Sequence, residues 1–143
     1  MVCHKDHITH LGVSKSINLL LCEGVLIIIT KFKLLSWLGF YLSGSYYQRN
    51  AIGMETGEFP DINITASSYI DSNPPSAARL GLHVAWCPKK ATNAFLQIDL
   101  GVPYHLPAVA TQGRSDGSFV KSYAITLSRD GGKWTEFEKV ECW

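Results

Sequence analysis

Two stretches of this chain alternate between apolar and polar positions with a period of two. In residues 95–100, FLQIDL, Leu96, Ile98 and Leu100 point one way and Gln97 and Asp99 the other. In residues 123–128, YAITLS, Tyr123, Ile125 and Leu127 oppose Ala124, Thr126 and Ser128. That period predicts strands with one buried and one wetter face. A third alternation sets Ile62, Ile64 and Ala66 against Asn63, Thr65 and Ser67. Asp130-Gly131-Gly132, after the second stretch and just before Trp134, predicts a hairpin turn, because glycine takes positive φ without a steric cost. The stretches between the strands are rich in Gly, Asp and Pro, which punctuate turns. The pattern predicts a small antiparallel all-β protein with loops free to bind, and not an alternating α/β enzyme.

The composition changes near residue 47. Residues 17–42 form an apolar run, INLLLCEGVLIIITKFKLLSWLGFYL, and the turn-rich β pattern follows from residue 50. We divide the chain into an N-terminal extension, 1–46, and a β domain, 50–143. Three readings of the extension stand open. A spanning helix needs roughly 20 mostly apolar residues. Glu23, Lys31 and Lys33 interrupt this one, each costing about 2.5–3.5 kcal/mol at a helix centre. A secretory signal has basic residues, an apolar core and small residues in that order. Lys31–Lys33, LLSWLGFYL and Ser43-Gly44-Ser45 follow that order but lie far from Met1. The third reading makes the segment foreign to the domain, with no strand alternation and no partner to bury it. Membrane contact through 17–42 follows from the first two.

Composition narrows the function classes. The 143 residues suit one domain. A net charge of +1 gives no electrostatic case for a nucleic-acid partner. Four cysteines, Cys3, Cys22, Cys87 and Cys142, are too few and scattered for a disulfide miniprotein. His4, His7 and His10 beside Cys3 lack a second ligand pair at zinc spacing, so no metal is expected. Asp71, Asn73 and Asp116 are oxygen donors by type but have no calcium-loop spacing. No nucleophile motif, zinc-protease motif or P-loop occurs, and neither His83 nor His105 lies beside a nucleophile. Asp99 lacks a paired carboxylate. A catalytic role and a cofactor are therefore not expected.

Binding candidates fall in two loops. Residues 69–75, YIDSNPP, are a loop by composition, with Tyr69 and Ile70 as apolar groups among polar ones. Residues 111–118, TQGRSDGS, place Arg114, a planar donor fork for an anion, beside Ser115 and Asp116. Gly113 and Gly117 suit tight turns there, and Asp116 either steadies Arg114 or caps the turn. Arg79 reads as a structural donor to backbone carbonyls. Trp86 reads as core. Asn63-Ile64-Thr65 is an N-glycosylation sequon.

From Gly53 onward the chain resembles the discoidin family, the coagulation factor 5/8 type C domain. The matching blocks run in family order: Gly53-Met54-Glu55, Gly57 and Phe59-Pro60-Asp61; Ile64-Thr65-Ala66-Ser67-Ser68; Ala78-Arg79-Leu80; Ala85-Trp86-Cys87-Pro88; Phe95 through Gly101; Ala110 through Arg114; and Tyr123 through Trp134. The resemblance implies an eight-stranded jelly-roll-like β-barrel or sandwich, extracellular or at the cell surface, with ligand-binding loops at one end. It implies adhesion or matrix recognition of a collagen, glycan or lipid head group. It places ligand contacts at Tyr69, Ile70, Asp71, Asn73, Arg114, Ser115 and Asp116. It also implies a disulfide at Cys87, with its partner open and Cys142 the candidate. The sequence departs from the family in having no Cys in Tyr46–Asn50 and in stopping at Trp143, before the family's last strands. A jelly roll short of strands has unpaired edges. The alternatives are a carbohydrate-binding accessory of a larger enzyme, or a fragment of a misjoined gene.

Overall fold

The computed structural model describes residues 2–3, 13–24, 28–29, 52–105 and 109–141. The protein is all-β, as expected. Its strands are β1 (Val2–Cys3), β2 (Val13–Gly24), β3 (Ile28–Ile29), β4 (Ile64–Ala66), β5 (Phe95–His105), β6 (Ala110–Gln112), β7 (Val120–Ser128) and β8 (Thr135–Glu141). A five-stranded sheet has the order β4-β5-β2-β7-β8, and a three-stranded one the order β1-β6-β3. Every pairing is antiparallel. The only helical pieces among the described residues are two single 3-10 turns, Asp61–Asn63 and Pro75–Ala77.

The alternation in residues 95–100 holds: Leu96, Ile98 and Leu100 are buried, and Gln97 and Asp99 are half-buried. The alternation in 123–128 holds on one face only. Ala124, Thr126 and Ser128 were expected on the wetter side and are instead buried. β7 is an inner strand, so on each face its side chains are flanked by residues of β2 on one side and β8 on the other. The expected strand from Ile62 is shorter than its pattern. Asp61 pairs with Arg79, and Asn63 N–H donates to Pro60 O (3.1 Å), so the chain turns there. Ile62 is left 85% exposed and the strand begins at Ile64.

The sheet also takes in Val13–Gly24. It lies in the extension 1–46, for which three readings stood open and none of them predicted a strand. It is the middle strand of the larger sheet, paired to β5 on one side and β7 on the other. Ile17 stands between Ile98 and Leu127, and Leu19 between Leu96 and Ile125. Ile64 and Ala66 extend the same two rows across β5. Ile17 and Leu19 are fully buried, and such burial contributes about 1.5–3 kcal/mol per side chain. Trp86 and Met54 complete the core they enter. The open edges expected of a jelly roll short of strands therefore do not lie between β5 and β7. Apart from Ile28–Ile29, the remainder of 25–51 lies outside the described residues, as do the histidines at 4, 7 and 10. No described helix is long and apolar enough to cross a membrane.

One irregularity positions β5. Lys15 alone separates Ser14 from Ser16, while Leu100, Gly101, Val102 and Pro103 separate their partners Asp99 and Tyr104. Gly101 takes φ 73° and Pro103 lacks an N–H, so the ladder breaks at this bulge. Asp99 Oδ1 accepts from Gly101 N–H (2.9 Å), which gives that carboxylate a structural task.

Candidate functional site

Three loops are tied together by hydrogen bonds that their sequences do not announce. In the first, 69–73, Asn73 N–H donates to Ile70 O (2.8 Å), closing a turn. Ile70 N–H donates to Cys87 O (2.9 Å), and Cys87 N–H to Asn73 O (3.3 Å), joining this loop to the second, 81–87. The third, 112–118, is joined to the second twice. Gly81 N–H donates to Gln112 Oε1 (3.1 Å), and Ser115 Oγ to His83 O (3.1 Å). Trp86 is fully buried beneath them and donates its indole N–H to Ser68 O (2.9 Å).

The expected contact residues divide within this arrangement. Tyr69 and Ile70 are 44% and 39% exposed. Tyr69 also lines a cleft of about 490 Å³ with Ile62, Thr65 and Pro75. Asp71, Ser115 and Asp116 are exposed. Asn73 differs from expectation: it is 5% exposed, its Nδ2 donates to Ala85 O (2.6 Å), and its Oδ1 accepts from Ser72 Oγ (2.7 Å). Its side chain is consumed in holding the loop, which makes it the loop's anchor.

Arg114 is half-buried. Its Nε lies 3.3 Å from Asp116 Oδ2, and its backbone N–H donates to Ser118 O (2.7 Å). Gly117 takes φ 88° within that turn, whereas Gly113 has no positive φ. Asp116 Oδ1 accepts from Ser118 N–H (2.9 Å), and this bond leads in holding the carboxyl below the usual range, with Arg114 adding to it. Asp116 steadies the planar Arg114 fork through its Nε.

Cys87 is buried and free among the described residues. Burial pushes its thiol up, and the Arg114 guanidinium beside it offsets part of that rise. Cys142 lies outside the described residues. Arg79 does what its sequence context suggested: Nη1 donates to Met54 O (2.9 Å), Nη2 to Phe59 O (2.7 Å), and it pairs with Asp61. Asn63, the sequon residue, ends a 3-10 turn and is half-buried.

Sequence reasoning missed the second loop as surface. Leu82 and Val84 are 38% and 46% exposed there. Alternation gave no signal for this, because it sets Leu82 and Val84 on the same side as Trp86, which is fully buried.

This loop surface sits on strands whose sequence matches a known domain. The sequence model described as "F5/8 type C domain" matches residues 63–141, more than half of the chain. The chain belongs to the F5/8 type C domain family. Discoidin domain-containing receptor A of Caenorhabditis elegans is 36% identical over 102 residues, covering 62% of this chain and 13% of that protein. Epithelial discoidin domain-containing receptor 1 of Homo sapiens is 37% identical over 98 residues, covering 60% of this chain and 11% of that protein. Coagulation factor VIII of Canis lupus familiaris is 38% identical over 98 residues, covering 60% of this chain and 4% of that protein. The chain therefore spans only a small part of the length of the curated relatives it matches. No solved structure matches the chain. F5/8 type C domains are non-catalytic binding modules of secreted and cell-surface proteins.

Proposed function

We propose that this F5/8 type C domain is an extracellular recognition module that works through the three joined loops. Tyr69, Ile70, Leu82 and Val84 supply apolar contact, Arg114, paired with Asp116, supplies polar selection, and the exposed Asp71 and Ser115 add polar groups on the same joined loops. The observation that carries this reading is the bonding of the loops to one another. It leaves exposed apolar side chains and a guanidinium on loops already fixed in place. Prior fixing lowers the ordering cost of binding. An aromatic and aliphatic patch beside a planar donor suits a protein ligand that offers a carboxylate next to apolar side chains. A collagen is the first ligand to test. A glycan or a lipid head group would use the same loops, and a chain serving as a carbohydrate-binding accessory would prefer neutral sugars.

The test is a binding series on immobilised collagen, on phosphatidylserine vesicles and on a glycan array. Collagen binding should be retained by the wild type and weakened about tenfold or more by Arg114→Ala, the scale of a lost charge-assisted hydrogen bond. Unchanged collagen affinity in a folded Arg114→Ala protein would sink the assignment. Binding confined to vesicles or neutral glycans would move it to the other ligand class.

A further inference from the structure

The middle strand of the larger sheet lies outside the residues that match the family. The match covers 63–141, and β2 is Val13–Gly24. Without β2, the sheet order leaves two separate ribbons, β4-β5 and β7-β8. Two-stranded ribbons are marginal alone, so β2 is what makes one sheet of them.

The contacts are those of a strand seated in a slot. β2 forms a ladder with β5 from Val13↔His105 to Leu20↔Phe95, and with β7 from Ser16↔Ser128 to Gly24↔Val120. Ile17 and Leu19 enter the core and are fully buried. At one end Ser14 Oγ shares its proton between Ser128 O (2.6 Å) and Ser16 O (2.9 Å), while being 2% exposed. The smaller sheet repeats the arrangement, since β6 has β1 on one side and β3 on the other. Backbone ladders supply affinity in such strand addition, and alternate side chains supply selectivity.

We propose that the gap between β5 and β7 is a strand-accepting site whose ligand is Val13–Gly24, held by contacts that do not need the covalent link between them. The ligand class is an extended peptide with buried aliphatic side chains at the Ile17 and Leu19 positions and a serine hydroxyl at the Ser14 position. The test uses the full chain with a protease site introduced within residues 40–48. After cutting, the two pieces should elute together as one 1:1 species and separate only in denaturant. Refolding the denatured, cut protein with a molar excess of a fluorescent peptide of residues 13–24 should give a labelled complex. The same peptide carrying Ile17→Asp and Leu19→Asp should not be incorporated. Separation of the pieces under native conditions overturns the proposal, whether the larger one stays folded or precipitates. Equal incorporation of the two peptides, or incorporation of neither, also overturns it. None of these readouts involves the ligand of the loops, so failure here leaves the recognition reading standing.

Discussion

Individual side chains in the loop region divide into those that hold the surface and those that present it. Asn73 holds it. In Asn73→Ala the buried Ala85 carbonyl loses its donor, a loss of about 1–3 kcal/mol. Urea unfolding of the two proteins measures it, and a difference under a few tenths of a kcal/mol would remove Asn73 from that role. Cys87 tests the packing beneath the loops. Its thiol is buried and its pKa is raised, so alkylation followed by mass spectrometry should find Cys87 protected at pH 7.5 in the folded protein and modified in urea. Arg79 was legible as a structural donor because an arginine fork commonly ties a loop down by donating to backbone carbonyls, as it does here to Met54 O and Phe59 O. Asn73 was not legible. An asparagine in YIDSNPP has the same local signature whether its amide faces solvent or a carbonyl twelve residues away.

At the scale of elements, legibility followed the clarity of the alternation. Leu96, Ile98 and Leu100 named their own buried face, and the Asp130-Gly131-Gly132 turn named its hairpin. There Asp130 Oδ1 accepts from Gly132 and Lys133 N–H (both 2.8 Å) and Gly131 takes φ 75°. β2 hid its pattern. Ser14, Ser16 and Asn18 alternate with Lys15, Ile17 and Leu19, but Leu19, Leu20, Leu21 and Cys22 then follow without a polar residue and the run reads as continuous apolar sequence. Its position makes a sharp prediction. Leu19→Ala should destabilise by about 2–5 kcal/mol, the range for a buried leucine truncated in a core. Hydrogen exchange should find β2, β5 and β7 the slowest strands and the edge strands β4 and β8 faster, since each inner strand is bonded on both sides. Fast exchange throughout Val13–Gly24 would remove β2 from the sheet. The outer strand β8 carries Glu136, Glu138 and Lys139, charges that discourage pairing by a further chain.

For the molecule as a whole, two carboxylates contribute to the acid limb of stability. Asp116 and Asp130 both hold their carboxyls below the usual range, Asp116 chiefly through Ser118 N–H and Asp130 chiefly through Lys133 and Gly132 N–H. Each folded value lies below its unfolded value of about 3.9. Each group therefore contributes stability that is fully present above the unfolded value and is lost as pH falls through the folded one. Thermal midpoints measured from pH 6 down to pH 2 should fall at the acid end, and less steeply in a double Asp116→Asn, Asp130→Asn protein. Equal slopes would assign the acid limb elsewhere. The sequence by itself determined the fold class, the family and the strands β5 and β7, because apolar alternation along a strand and ordered motif blocks are local properties of the chain, whereas the burial of both faces of β7 is not. Only the tertiary structure decided what lies between those strands. It also decided that the loops at 69–73, 81–87 and 112–118 form one surface, because both outcomes rest on hydrogen bonds between residues far apart in sequence.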